Sequence, residues 1–185
     1  MSSMTSGSQT VGPFFRIGLE HLCARGEGNA AGSEDEVTIR GRVIDGAGNP
    51  VPDAMLEIWH ADGEGRYSSL EPNDRGRAAG FTRAATGSDG CFAFSIRKPG
   101  AIATEPECRQ GPHVAVLVFA RGLMRHLLTR MYFPDEPANG SDPVLLSIPE
   151  QRRRTLIAQR AAGDAAVLEW NVVLQGEDET VFFAW

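Results

Sequence analysis

The sequence predicts an all-β protein: an antiparallel β-sandwich with long loops and one short helix near the C-terminal third. Three observations predict this fold class. Short apolar or alternating segments recur along the 185 residues, 21 Gly and 11 Pro are spread between them as turn residues, and only one segment carries a clear helix start signal. Because a chain of this length fits one domain, we expect residues 1–185 to form a single sandwich domain.

The strands follow from local patterns in chain order. The predicted strands are Val37–Ile44, Val51–Trp59, Cys91–Arg97, His113–Ala120, Arg125–Phe133 and Val167–Gln175. Alternation in the third of these places Phe92, Phe94 and Ile96 on one face. The fourth is almost entirely apolar, which is typical of a central strand that is buried on both faces.

The helix is predicted over Ile148–Arg160, because Pro149 suits a first helical turn and good helix formers follow it. The three consecutive arginines Arg152–Arg154 would point to different sides of that helix, so they indicate a solvated face rather than a basic patch. Before the first strand, residues 1–8 are expected to form a mobile tail and residues 9–36 an N-terminal arm and loop.

Composition excludes several classes of function. Eighteen Lys and Arg against 24 Asp and Glu give a formal charge of −6, which argues against nucleic-acid binding. The apolar runs are far shorter than the roughly 20 residues of a membrane-spanning helix. Cys23, Cys91 and Cys108 form no CxxC pair, and residues 1–10 carry no export signal. We therefore expect a cytoplasmic protein with reduced thiols.

The segment Ile39–Tyr67 carries a recognisable set of residues. They are Ile39, Gly41, Val43, Gly48, Val51, Leu56-Glu57-Ile58 and Gly65-Arg66-Tyr67. Together with Gln9–Phe14 upstream and the strand that follows Gly111-Pro112, this pattern resembles the intradiol ring-cleavage dioxygenases over nearly the whole chain. The segments Phe119–Gly122 and Gln175–Phe183 resemble, within that family, the iron-free alpha chain of members that are built from two homologous chains.

The resemblance implies a ligand set that this chain fills only in part. The family's iron chains hold non-haem Fe(III) with two tyrosinates and two histidines, donors that suit this ion. Tyr67 matches the tyrosine of the Gly-x-Tyr motif, and His113 matches the first histidine of a His-x-His motif whose two imidazoles share one face of a strand. The second histidine is replaced by Ala115, which has no donor atom.

The other two expected side chains are absent as well. The family's second tyrosine lies in a Pro-Gly-Pro-Tyr-type turn, whereas Lys98–Ala103 contains no tyrosine, and Gln110 occupies the place of a companion arginine. Tyr132 and His60 are interpreted as structural residues, not as replacement ligands. We therefore expect no metal and no catalytic residue on this chain, with Tyr67 and His113 as vestigial ligand positions that pack and form hydrogen bonds.

The resemblance further implies a partner: a homologous beta chain that binds the Fe(III) and a small aromatic acid substrate. Two contributions to the partner's substrate pocket are expected from this chain. One is the extended segment of Thr10, Gly12 and Pro13, in which the glycine permits close backbone approach. The other is Arg130, whose guanidinium suits a carboxylate, with Arg125 as its rival.

Two other functions stay open at this point. One is a self-sufficient intradiol dioxygenase with an altered ligand set on this chain. The other is a non-catalytic β-sandwich that binds a small ligand in the former iron cavity.

Overall fold

The structure is a computed structural model, and it describes residues 7–23, 36–67, 80–105 and 108–184. The predicted mobile tail therefore lies outside the described residues except for residues 7 and 8. Of the predicted arm and loop, residues 24–35 also lie outside them.

The described strands form two main sheets and a small hairpin. The strands are β1 (Glu36–Ile44), β2 (Met55–His60), β3 (Phe81–Ala85), β4 (Cys91–Arg97), β5 (Ile102–Glu105), β6 (Cys108–Gln110), β7 (His113–Phe119), β8 (Leu127–Tyr132), β9 (Gln159–Ala161), β10 (Asp164–Glu169) and β11 (Val172–Val173). The first sheet has the order β11-β1-β10-β9 with β4 paired to β1, the second has the order β3-β2-β7-β8, and β5 pairs with β6.

The core lies between the two main sheets, as a sandwich requires. Phe92, Phe94 and Ile96 of β4 are buried in it, which confirms the face predicted from their alternation. Val114 and Val116 reach the same core from β7, which pairs with β2 on one side and β8 on the other. β7 is therefore a central strand, as predicted, but it is not buried on both faces, because Ala115, Leu117 and Phe119 on the outer face are only partly buried.

The sheets are not purely antiparallel. β1 pairs parallel with β10 and with β11, while its partner β4 is antiparallel. Alternation of apolar residues fixes which side chains face the core but not the direction of the neighbouring strand. The parallel pairing of β1 with β10 and β11 therefore could not be predicted from the pattern.

The predicted helix is shorter than expected, and the described residues form two further α-helices. Helix α3 covers only Glu150–Arg153. It ends there because the following backbone pairs with β8: Tyr132 N–H donates to Leu156 O at 2.7 Å, and Ala158 N–H donates to Tyr132 O at 3.0 Å. Two further helices, α1 (Pro13–Leu19) and α2 (Pro143–Leu146), were not predicted, although each begins with a proline that suits a first helical turn.

The N-terminal arm lies against the outer face of the second sheet, which is the face turned away from the core. Gly12 is extended, helix α1 begins at Pro13, and the rings of Phe15 and Phe119 lie 5.1 Å apart. Upstream, the Gly122 N–H donates to Thr10 Oγ1 at 2.7 Å.

Within the described residues, no helix is long and apolar enough to cross a bilayer.

Candidate functional site

Tyr67 follows a tight turn in which residue 65 has no room for a side chain. Gly65 has φ +78°, and a Cβ there would lie 2.1 Å from the Ala101 carbonyl oxygen. Gly100 N–H donates to Asp62 O at 2.9 Å, which ties the two segments together. Glycine is therefore required at position 65, and the Gly-x-Tyr turn lies directly against the segment in which the second tyrosine was expected.

That segment presents an apolar side chain instead of a phenol. Ile102, the fourth residue of the turn that begins at Pro99, is buried. It pairs with Gln110 across the hairpin of β5 and β6, so the missing tyrosine and the missing arginine would have been neighbours. Neither of these two neighbouring positions carries the side chain that the family resemblance leads us to expect.

His113 is a buried, hydrogen-bonded histidine, as predicted. Its side chain is 1% exposed, and its Nδ1–H donates to the Gly111 carbonyl at 2.9 Å. Burial, with the nearby charge of Arg130 acting in the same direction, lowers the pKa of His113 to about 4. The imidazole is therefore neutral at physiological pH.

Ala115 occupies the place of the second imidazole on the outer face. It lies two residues from His113 on the same face of β7, opposite Trp59 of β2 and Arg130 of β8. Directly opposed side chains in antiparallel strands stand about 5 Å apart. Ala115 is therefore flanked by Trp59 in one neighbouring strand and by Arg130 in the other.

Arg130 is the point on which the former ligand positions converge. Its Nη1 donates to Gln110 Oε1 at 2.9 Å and to the Tyr132 hydroxyl at 3.3 Å. Its charge lowers the pKa of His113, and it also opposes the burial that raises the pKa of Tyr67. A fixed positive charge thus lies among Tyr67, Ala115, Gln110 and His113.

Two further buried residues belong to this site: Tyr132, which the sequence indicated only as a structural residue, and Asp142, which sequence reasoning missed. Tyr132 lies opposite His113, with ring centroids 5.4 Å apart, and burial raises the pKa of its phenol to about 12. Its hydroxyl lies 3.3 Å from Asp142 Oδ1, and Asp142 Oδ2 accepts the Gly111 N–H at 2.8 Å. The two-residue spacing of Arg130 and Tyr132 was the available signal, because it places both on one strand face.

These residues do not fit a ferric ion. Tyr67 and His113 supply two donors, Ile102 and Ala115 supply none, and the guanidinium of Arg130 would repel a cation among them. Within the described ranges, no group of three or more His, Cys, Asp or Glu side chains could hold a metal. His60 offers no replacement, because its Nδ1–H donates to Ala61 O at 2.8 Å and it lies opposite core-facing Val114.

The arm and Arg130 are not brought together within one chain. Thr10 is bound at Gly122, beyond the end of β7, whereas Arg130 lies opposite Ala115. Ala115 and Phe119 alone are four residues apart, about 13 Å along the strand. Gly12 has open space around its Cα, and Arg125 lies exposed in the bend before β8 rather than on the strand as predicted.

A sandwich of this architecture with a depleted tyrosine–histidine ligand set points to a ring-cleavage dioxygenase-type protein. Comparison with known proteins agrees, because the family model described as Dioxygenase matches residues 20–176. The chain therefore belongs to the intradiol ring-cleavage dioxygenase family.

The named relatives include both an alpha chain and a beta chain. The chain is 42% identical to the protocatechuate 3,4-dioxygenase alpha chain of Burkholderia cepacia, over 95% of each chain. It is 31% identical to the beta chain from the same organism, over 94% of this chain and 77% of that one. Among solved structures, the dioxygenase domain of a carbohydrate-binding fusion from Streptomyces sp. SirexAA-E shares the fold, with a TM-score of 0.61 and 23% identity over 95% of this chain and 100% of that one.

Proposed function

We propose that this chain is the iron-free alpha subunit of a protocatechuate 3,4-dioxygenase. In that assembly a homologous beta chain binds the Fe(III) and opens 3,4-dihydroxybenzoate with O₂, and both oxygen atoms enter the product, 3-carboxy-cis,cis-muconate. The observation that carries this proposal is the pairing of Ala115 with Arg130, which puts a methyl group and a fixed cation where an iron chain would need donors. The 42% identity to an alpha chain supports the same assignment.

The N-terminal arm is proposed to reach the partner's substrate pocket. Its segment Thr10–Pro13 is extended up to Gly12, where no neighbouring atom would meet an added Cβ. A backbone of this kind can approach a ligand closely. The contribution of the arm is to shape the pocket and exclude water, which accelerates a reaction through positioning rather than through bond chemistry.

Helix α1 continues from that segment and supports a partner at this place. Phe14 is 80% exposed, and Ile17 and Leu22 are exposed beside it, with Met124 exposed at the end of the β7–β8 connection. Large apolar side chains concentrated in one region mark interaction surfaces. We propose that the homologous chain covers this surface, because it is continuous with the arm segment that serves the partner's pocket.

Arg130 is proposed as the residue that binds the carboxylate of the acid. Its guanidinium is half-buried and has neutral hydrogen-bond partners in Gln110 and Tyr132. A guanidinium and a carboxylate match in geometry and charge.

Cytoplasmic location remains part of the proposal, and the free thiols of Cys23 and Cys91 are compatible with it.

Co-expression with the homologous chain tests this function. We expect the pair to purify as an iron-containing, coloured complex that opens 3,4-dihydroxybenzoate, and we expect this chain alone to show no activity. The self-sufficient alternative predicts activity in the chain purified by itself. Failure of the two chains to copurify would contradict the proposed pairing.

A further inference from the structure

Arg130 is held at one of its nitrogen atoms by two neutral side chains from different strands. Its Nη1 donates to Gln110 Oε1 at the end of β6 at 2.9 Å and to the hydroxyl of Tyr132 on β8 at 3.3 Å. We propose that Gln110 and Tyr132 are positioning residues, which hold this guanidinium in the orientation that receives the carboxylate of the acid. This role rests on the proposed function, which assigns the carboxylate to Arg130.

The two contacts leave one edge of the guanidinium free. The hydrogen bonds of Arg130 to described residues use only Nη1, and none of the ion pairs among the described side chains includes Arg130. The opposite edge, formed by Nε and Nη2, therefore keeps the parallel N–H groups with which arginine binds both oxygens of a carboxylate.

The hydroxyl of Tyr132 is itself fixed by a buried carboxylate. Tyr132 and Asp142 are fully buried, and the Tyr132 hydroxyl donates to Asp142 Oδ1 at 3.3 Å. A hydroxyl has a single hydrogen, so donation to Asp142 leaves its oxygen lone pairs for the N–H of Arg130. Asp142 is held in turn, because its Oδ2 accepts the Gly111 N–H at 2.8 Å. The acceptor on the Tyr132 side of Arg130 is thus set by the buried structure.

Gln110 supplies the other acceptor from the hairpin of β5 and β6. A guanidinium nitrogen only donates, so the amide oxygen of Gln110 is the atom that faces Nη1. The family resemblance leads us to expect an arginine at position 110, which would offer Arg130 a like charge and no acceptor. The glutamine is therefore matched to Arg130 in a way that the expected arginine would not be.

An aromatic ring from the C-terminal segment adds a third contact. The guanidinium carbon of Arg130 lies 5.9 Å from the ring centroid of Phe183, within the range of a cation–π contact. Phe183 is tied to β8, because its N–H donates to Leu128 O at 2.8 Å. Contacts from three segments thus order a side chain that has many rotamers, and a guanidinium that is already ordered loses less conformational entropy when the acid binds.

Steady-state kinetics of the iron-containing pair tests the role of Gln110. In Gln110→Leu, which removes the acceptor, we expect KM for 3,4-dihydroxybenzoate to rise about two- to tenfold, because the acid then has to order the guanidinium itself. We expect kcat to change by less than about twofold, since Gln110 contacts Arg130 and not the reacting atoms. Gln159→Leu, at an exposed position of β9, is the matched control and should leave KM unchanged.

Two further variants distinguish positioning from a merely structural role. Gln110→Glu keeps the size of the side chain but pairs a carboxylate with Arg130, so it should raise KM more than Gln110→Leu does. A structural role predicts the reverse order, because glutamate is the closer replacement in shape. Tyr132→Phe removes only the hydroxyl and should raise KM in the same direction as Gln110→Leu. Thermal unfolding of each variant pair checks that it is folded.

Inhibition by matched analogues tests whether the effect concerns the carboxylate. The inhibition constant of 4-hydroxybenzoate should rise in Gln110→Leu by about the same factor as KM, whereas that of the uncharged 4-hydroxybenzamide should stay within about twofold. Equal increases for the two analogues would show a general disturbance of the pocket and would contradict the positioning role.

A double-mutant cycle with Arg130→Met separates this role from the proposed function. Arg130→Met should raise KM by itself, and adding Gln110→Leu to it should raise KM no further, because Gln110 acts through Arg130. If Gln110→Leu raised KM by the same factor with and without Arg130, the positioning role would be overturned while the acid-binding role of Arg130 stood. The same conclusion would follow if Arg130→Met raised KM and neither variant of Gln110 did. An unchanged KM in Arg130→Met would remove the acid-binding role and the positioning role together.

Discussion

Arg130 lies directly opposite Ala115 in the antiparallel pair of β7 and β8, so an arginine is the cross-strand neighbour of the alanine that replaces a histidine. His113, two residues from Ala115 on the same face, remains buried and neutral next to that charge. The two residues act together, because Ala115 offers no metal ligand and the charge of Arg130 repels a metal ion. The proposed loss of iron binding by this chain therefore rests on more than one residue.

Restoring the histidine alone should not restore a metal site. In a pair that contains Ala115→His, we expect iron to stay at the partner's stoichiometry of one per pair, because Ile102 still supplies no phenol and Arg130 still repels the ion. Elemental analysis measures this directly. Adding Ile102→Tyr and Arg130→Gln should raise the iron content above that of the single variant. A second full equivalent of iron in Ala115→His alone would show that the charge and the missing phenol are unimportant.

His113 should make the stability of the chain depend on pH. The pKa of His113 falls from 6.5 to about 4 on folding, so between these values the unfolded chain binds more protons than the folded one. Stability is then complete above about pH 6.5 and declines as pH falls towards 4, by up to about 3 kcal/mol in total.

Thermal unfolding of the pair between pH 4 and 7 measures that dependence. His113→Gln should flatten the decline, and His21→Gln, at an exposed position in the arm, should leave it unchanged. Identical pH profiles for wild type and His113→Gln would contradict the assignment of a neutral, buried imidazole.

Asp142 should be among the most sensitive polar positions for stability. Its buried carboxylate caps α2 and holds Gly111, so Asp142→Ala leaves several buried N–H groups without an acceptor. We expect a loss of about 3 kcal/mol, seen as a melting temperature about 6–12 °C lower. Asp164→Ala removes a single hydrogen bond from the Ala166 N–H at the exposed start of β10 and should change the melting temperature by less than about 2 °C. Equal effects of the two variants would argue against the buried network.

The exposed side chain of Phe14 should stabilise assembly with the partner chain. Burial of a phenylalanine against a partner contributes about 1.5–3 kcal/mol, so Phe14→Ser should weaken the pair about 10- to 100-fold. Leu146→Ser is the control, because Leu146 is 50% exposed but lies on α2, away from the arm. Sedimentation of dilution series gives both dissociation constants. If Leu146→Ser weakened the pair and Phe14→Ser did not, the interface would lie elsewhere.

The sequence predicted the elements whose pattern is local. The β4 strand was predicted with its bounds, because alternation of Phe92, Phe94 and Ile96 is a direct consequence of strand geometry. The C-terminal part of the predicted helix failed because Leu156 and Ala158 exchange backbone hydrogen bonds with Tyr132, a tertiary contact that no helix propensity contains.

The residues of the site also divide into those that a local motif predicts and those that only the tertiary structure brings into contact. Tyr67, His113 and Ala115 could be identified because motifs fix their spacing, and His113 and Ala115 lie on one face of β7 as the His-x-His motif implies. The contact of Arg130 with Gln110 could not be predicted, because it depends on where the β5–β6 hairpin lies relative to β8. Asp142 was invisible for the same reason, since its partner Gly111 is 31 residues away.

The proposed function depends most on the absence of iron from this chain within an active assembly. The most direct measurement is elemental analysis and turnover of a pair in which the partner chain's two ligand histidines are replaced by alanine. We expect a pair with neither iron nor ring-opening activity, alongside one iron per pair and full activity in the unaltered control. One iron per pair together with cleavage of 3,4-dihydroxybenzoate in the altered pair would contradict it.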